Sequence, residues 1–265
     1  MLSLRTARLR RQHADGEGDG RVRPTIVLVH GDWADASSWT SVLERLRDKG
    51  FTVVAPPNLL RGPTEDAAYL TSYLKTISGS IVLVAHSYGG FVATNAATGN
   101  ADVAALVYID AFMPDEGETL GALAAGAGSC VDESALNPVP YDGGVDLYLR
   151  WDANGDYPGY AECFANGIDP EKAAVLCAGQ RPASAAQFTE PSGDPAWKTI
   201  PSWALVGTED RVIPPALQEQ MAKRAGAEIA TVEAGHLSLI THPDQVTDVI
   251  LSAVSPTFAA AATTP

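Results

Sequence analysis

The chain has 265 residues, and 32 Asp+Glu against 18 Lys+Arg give a formal charge of −14. That balance disfavours nucleic acid as a partner, because phosphate binding rests on clustered cations. No apolar run approaches the ~18–20 residues of a membrane-spanning helix; the longest clean stretches are strand-sized, such as Ile26-Val27-Leu28-Val29.

The charge is uneven. Arg5, Arg8, Arg10, Arg11, Arg21 and Arg23 against Asp15, Glu17 and Asp19 make residues 1–23 net +3, which leaves −17 on the rest. This stretch is basic like a signal peptide but lacks the roughly 7–15-residue apolar segment of one. It reads as a flexible arm, and the chain as cytoplasmic with secretion not excluded. Cys130, Cys163 and Cys177 have neither CxxC spacing nor neighbouring histidines, so no metal site is expected. Free thiols, or one disulfide and a spare, both fit.

From Thr25 onward short β-branched runs alternate with longer amphipathic ones, the pattern of βαβ units and a mostly parallel sheet. Strands are expected at residues 25–29, 52–55, 81–85, 105–109, 203–206 and 228–232. Between the first two, Trp39, Val42, Leu43 and Leu46 keep helical spacing, and Gly50 stands where that helix should stop. A second helix is expected to start near Thr64 and bury Ala67, Leu70, Leu74 and Ile77. A last one has Pro243 just inside its start and buries Val246, Val249, Ile250 and Val254. The alternation stops over residues 112–197, a stretch too long for a plain connection. With Leu147, Tyr148, Trp151, Tyr157, Tyr160 and Phe164 it carries enough apolar surface to fold as a cap. The expected organisation is an arm (1–23), a core (24–111 and 198–255), a cap insertion (112–197) and a disordered Ala/Thr-rich tail (256–265).

The strand at 81–85 runs directly into Ala85-His86-Ser87-Tyr88-Gly89-Gly90 and then a helical pattern. Small residues two positions either side of Ser87 are what a sharp strand-to-helix turn demands, so Ser87 stands at the apex of a nucleophile elbow with Ala replacing the first Gly. A serine hydroxyl needs a base, and the base needs an orienting carboxylate. His236, in the loop after the last strand, is the candidate base. Asp210, in Gly207-Thr208-Glu209-Asp210, is the candidate acid, with Asp110 at another strand end as the alternative. All three fall at carboxyl ends of strands, where open α/β sheets place their sites. Two backbone donors are needed for an oxyanion; the N–H groups of Tyr88 and Asp32 are assigned. His30, Gly31, Trp33 and His86 are candidate pocket residues, with His30 and His86 weighted toward wall or structural roles. Arg61 reads as a solvated loop arginine. A base of this kind predicts activity rising through a pKa near 6.5–7 as His236 becomes neutral.

Taken together, Val27-Leu28-Val29-His30-Gly31 with Trp33 and Trp39, Ala85 to Gly90, Gly207 to Asp210 and Gly235-His236 resemble the α/β-hydrolase superfamily over residues 25–254. Within it the chain is most similar to small capped serine esterases of the methyl-ester esterase and hydroxynitrile lyase group. The resemblance implies an α/β-hydrolase fold with a cap, a cofactor-free serine mechanism and a small-molecule ester as partner. Hydroxynitrile lyases carry threonine where this chain has Gly31, and lysine where it has Leu237, so cyanide elimination is disfavoured. An aspartate stands at the elbow of haloalkane dehalogenases and epoxide hydrolases; Ser87 argues against both. Cofactor-free perhydrolases share the triad, and nothing in the chain excludes that side activity. Two other classes fit the same fold: a ligand-binding module retaining its triad, and a biosynthetic cyclase or C–C lyase. Nothing in the chain marks an oligomer interface.

Overall fold

The computed structural model describes residues 23–150 and 159–261, with side chains through Ser255. The arm up to residue 22, and Trp151 and Tyr157 of the insertion, lie outside the described residues. In chain order the strands are β1 (Thr25–Val29), β2 (Thr52–Val54), β3 (Ile81–His86), β4 (Val103–Ile109), β5 (Leu136–Tyr141), β6 (Gly144–Leu149), β7 (Ala183–Ser184), β8 (Ser202–Gly207) and β9 (Glu228–Val232). The helices are α1 (Thr40–Asp48), α2 (Pro63–Leu74), α3 (Tyr88–Ala96), α4 (Leu120–Ala124), α5 (Pro170–Ala178), α6 (Pro215–Arg224), α7 (Ser238–Thr241) and α8 (Pro243–Ala261).

Six strands form one parallel sheet in the order β2-β1-β3-β4-β8-β9. All six residues of β3 are buried, as befits a central strand covered by helices on both faces. The chain steps from β1 outward to β2 and then back across to β3, so the winding direction reverses between β1 and β3. At such a switch point the loops after the two strands diverge and leave a crevice at their carboxyl ends.

The helix faces follow the predicted spacing. Val42 and Leu46 of α1 are buried, and Gly50 ends that unit with φ +83°. Pro63 sits in the first turn of α2, which buries Ala67, Leu70 and Leu74 but ends before Ile77. In α8 Val246, Ile250 and Val254 are buried. That helix continues to Ala261, so the backbone of residues 256–261 is helical rather than the expected unstructured tail. The alanines at 259–261 have the best helix propensity and keep the preceding pattern going.

Residues 112–197 hold structure that the sequence pattern conceals. Strands β5, β6 and β7 form an antiparallel sheet of their own. Pro138 and Pro140 obscure β5 as a strand, and they are tolerated because it lies at the sheet's edge. A π-helical turn, Tyr160–Phe164, buries both of its terminal aromatic rings. This insertion is tied to the core at several points: Trp33 Nε1–H donates to Leu147 O at 2.9 Å, and Arg61 pairs with Asp146 at 2.9 Å and reaches Tyr141 Oη at 3.2 Å. Arg61 is therefore not a freely solvated loop residue. Cys130 and Cys163 form a disulfide, and Cys177 is a buried free thiol. Among the described residues no helix is long and apolar enough to cross a membrane.

Candidate active site

Ser87 lies between β3 and α3 with φ +55° and ψ −128°, a conformation L-residues avoid unless the surroundings impose it. The surroundings here are tight. A Cβ on Gly31 would come within 2.5 Å of Ser87 Cβ, and one on Gly89 within 2.8 Å of Val29 O. Glycine at these two positions lets β1, β3 and α3 converge and holds the serine up at the strand ends.

The structure brings Ser87, His236 and Asp210 together as one hydrogen-bonded chain. Ser87 Oγ lies 2.9 Å from His236 Nε2, and His236 Nδ1 lies 2.8 Å from Asp210 Oδ2. Asp210 Oδ1 accepts from the N–H groups of Val212 (2.8 Å) and Ile213 (2.9 Å), and Oδ2 accepts from Gln218 Nε2 at 2.7 Å. Burial pushes this carboxyl up, and those donors oppose the push. Each of the three protein groups is a donor with nothing to offer a carboxyl proton, so Asp210 serves as an ionised acceptor and fixes the proton of His236 on Nδ1. The Nε2 lone pair then faces the serine. His236 is fully buried, which lowers its pKa from 6.5 to about 3.

Asp110 is not in this chain. Its carboxylate accepts from Gly207 N at 2.8 Å and from Ser238 Oγ, so it braces the loops that carry Asp210 and His236. His86 and His30 stand behind the site, both fully buried. His86 Nε2 donates to His236 O at 2.9 Å. His30 Nε2 accepts from Asn58 N at 3.0 Å, which leaves its Nδ1–H for Gly31 O at 2.9 Å. Burial holds both rings neutral, His86 well below the usual range and His30 at about 4.

A small cavity lies in front of Ser87, and Asp32, Trp33, Phe112, Leu120, Phe188 and Val212 are among its walls. Of the candidate pocket residues Trp33 lines it and Gly31 packs against Ser87, whereas His30 and His86 are not part of that wall. Tyr88 is the first residue of α3, where an N–H has no intrahelical acceptor. Its side chain turns away to donate to Asp66 at 2.7 Å. The Phe164 ring, from the insertion, lies 5.3 Å from the His236 ring and edge-on to Trp33 at 5.8 Å. Gln218, Asp66 and Gln187 were not singled out by sequence, and Phe164 was named only among the apolar residues of the insertion. Each reaches the site through tertiary packing, and only the buried helical position of Gln218 two turns after Asp210 leaves a trace in the chain.

The alpha/beta hydrolase family model matches residues 26–249. The alpha/beta hydrolase nvfD of Aspergillus novofumigatus is 25% identical over 88% of this chain and 97% of its own length. A carbendazim hydrolyzing esterase of Nocardioides is 34% identical over a shorter stretch, 37% of this chain and 46% of that protein. The crystal structure of a pyrethroid hydrolase from Sphingobium faniae superposes with a TM-score of 0.72 at 21% identity, covering 88% of this chain and 98% of that one. The match runs from β1 to the last helix and takes in Ser87, Asp210 and His236, and the chain belongs to the alpha/beta hydrolase family.

Proposed function

We propose that this protein is a serine hydrolase of carboxylic esters, with Ser87 as nucleophile, His236 as general base and acid, and Asp210 as the group that orients His236. The observation that carries the reading is the unbroken run of hydrogen bonds from Ser87 Oγ through His236 to Asp210. Ser87 Oγ attacks the ester carbonyl as its proton passes to His236 Nε2. The oxyanion is held by the N–H groups of Tyr88 and Asp32, and the proton on Nε2 moves to the departing alkoxide. Water, deprotonated by His236, then cleaves the acyl-enzyme and restores Ser87. No metal or cofactor enters these steps. Relatives named as an esterase and as hydrolases support ester cleavage.

Residues 112–197 serve as the cap, set on a core of 24–111 and 198–255. Phe164 and the apolar walls exclude water from the oxyanion, where low polarity strengthens each hydrogen bond. The Cys130–Cys163 disulfide favours an oxidising compartment over the cytoplasm read from sequence.

Intact-protein mass after exposure to a fluorophosphonate tests the reading. One adduct is expected on the wild type and none on Ser87→Ala, and kcat toward a p-nitrophenyl ester should fall on the order of 10⁴–10⁶-fold in Ser87→Ala and in His236→Ala. Esterase activity retained by Ser87→Ala would remove the assignment.

A further inference from the structure

Two cavities meet at Trp33, which lines both. The inner one holds Ser87 and Asp32, and Phe112, Leu120, Phe188 and Val212 close it down to about 30 Å³, room for about two water-sized groups. Phe112, Leu120 and Val212 are buried, and packing of that density resists enlargement. The outer cavity, of about 210 Å³, is lined by Phe164, Leu176, Gly179, Leu237 and Ile240, with Asp35 as the charged side chain on its wall. Val175 of α5 also lines it and is 72% exposed, so this cavity opens at the protein surface.

Proton transfer decides which half of an ester belongs on which side. The departing alkoxide takes its proton from His236 Nε2, so the alcohol lies beside that ring. The groups around the ring belong to the outer cavity: Leu237 follows His236 in the chain, Ile240 lies in α7 just beyond, and the Phe164 ring stands 5.3 Å from the imidazole. The inner walls instead surround Ser87 and Asp32, the residues assigned to the carbonyl carbon and its oxyanion. Trp33 is held as the partition between the two spaces. Its backbone has φ +54°, its N–H donates to Arg181 O at 3.1 Å, its Nε1–H donates to Leu147 O at 2.9 Å, and Phe164 packs edge-on to it at 5.8 Å.

Resting on the ester-hydrolase reading, we propose that the outer cavity is the alcohol subsite, and that the preferred substrates join a short acyl group, of acetyl size, to a bulky, apolar, uncharged alcohol such as an arylmethanol. The acyl group fills the inner cavity, and the alcohol's ring lies beyond the Trp33–Phe164 pair on Leu176, Leu237 and Ile240. The Asp35 carboxylate, which accepts from Ser37 N at 2.7 Å, disfavours an anionic alcohol there by like-charge repulsion.

Benzyl acetate and methyl phenylacetate test this on the full-length protein, because these isomers carry the same ring on opposite sides of the ester and release alcohols of similar acidity. kcat/KM for benzyl acetate is expected to exceed that for methyl phenylacetate by at least about 10-fold, since a misfit of one methylene already discriminates by that much. Leu176→Trp, which fills the outer cavity, should lower the ratio of kcat/KM for benzyl acetate to that for methyl acetate by about 10-fold. Fluorophosphonate labelling of Ser87 reports that the variant is folded, and Val175→Trp, at the exposed rim, replaces it if it is not. An isomer ratio near unity or reversed overturns the proposal and leaves the hydrolase reading standing, and so does cleavage of a p-nitrophenyl ester with neither isomer turned over. A benzyl-to-methyl ratio unchanged in the labelled variant places the ring elsewhere and also overturns it. No adduct on Ser87 together with no ester cleaved removes the hydrolase reading itself, and the alcohol subsite with it.

Discussion

His236 illustrates how one residue's role is set by its surroundings. The base role proposed for it follows from its position after the last strand, but its working pH range does not. A free imidazole titrates near 6.5, whereas removal from water lowers His236 to about 3. The base must be neutral to take the Ser87 proton, so activity is lost only as pH falls through the lowered value. The acid limb of the kcat/KM profile for a neutral ester is expected below the ordinary histidine value instead of at it, since burial disfavours the imidazolium. A limb at or above 6.5 would mean that the Asp210 anion outweighs burial and stabilises the imidazolium. Asp110 shows the complementary limit. From the chain it competes with Asp210 for the same role, since both follow strands that end on the same edge. The choice is made by side-chain direction, because Asp110 spends its oxygens on Gly207 and Ser238.

Among the elements, the insertion contributes most to the pocket and is held by few, well-placed links. Cys130 N–H donates to Arg211 O at 2.8 Å and Ser129 Oγ to Val212 O at 2.7 Å, so the segment containing Cys130 is stitched to the Asp210 loop. The disulfide joins that segment to the π-helical turn carrying Phe164, across a separation of 33 residues. Closing a loop of that length restrains the unfolded chain by roughly 3–4 kcal/mol. The Cys130→Ser/Cys163→Ser double variant is expected to lose about that much unfolding free energy in urea. KM should rise more than kcat falls, because Ser129 and Val131 line the cavity while His236 and Asp210 are positioned by the core. An unchanged urea midpoint would show that packing alone holds the cap. The partly exposed Arg61–Asp146 pair adds little by comparison.

At the scale of the whole molecule, burying histidines beneath the site makes stability depend on pH. His30 binds its proton at about 4 in the folded protein and at 6.5 when unfolded, so below 6.5 the unfolded state takes up more protons and the folded state loses ground. The contribution is intact above 6.5 and declines as pH falls toward 4. His30→Gln is expected to be less stable than wild type at neutral pH, and the gap in urea unfolding free energy should narrow by about 2 kcal/mol at about pH 5. A gap independent of pH would mean that His30 is protonated within the fold. Legibility follows the same physical divide. The parallel sheet was readable because β-branched runs and amphipathic spacing are local, and Ser87, His236 and Asp210 because each must stand at a strand's end beside small residues that chain order exposes. The second sheet and the choice between the cysteines were not, since they depend on which distant segments meet. Sequence by itself determined the fold class and pointed to the three residues that the fold joins by hydrogen bonds, because steric and periodic rules act over a few neighbours. Tertiary structure alone decided the second sheet inside the insertion and the burial of His236 and Asp32, because burial exists only once segments 100 or more residues apart, such as Asp32 and Gln187, have packed together.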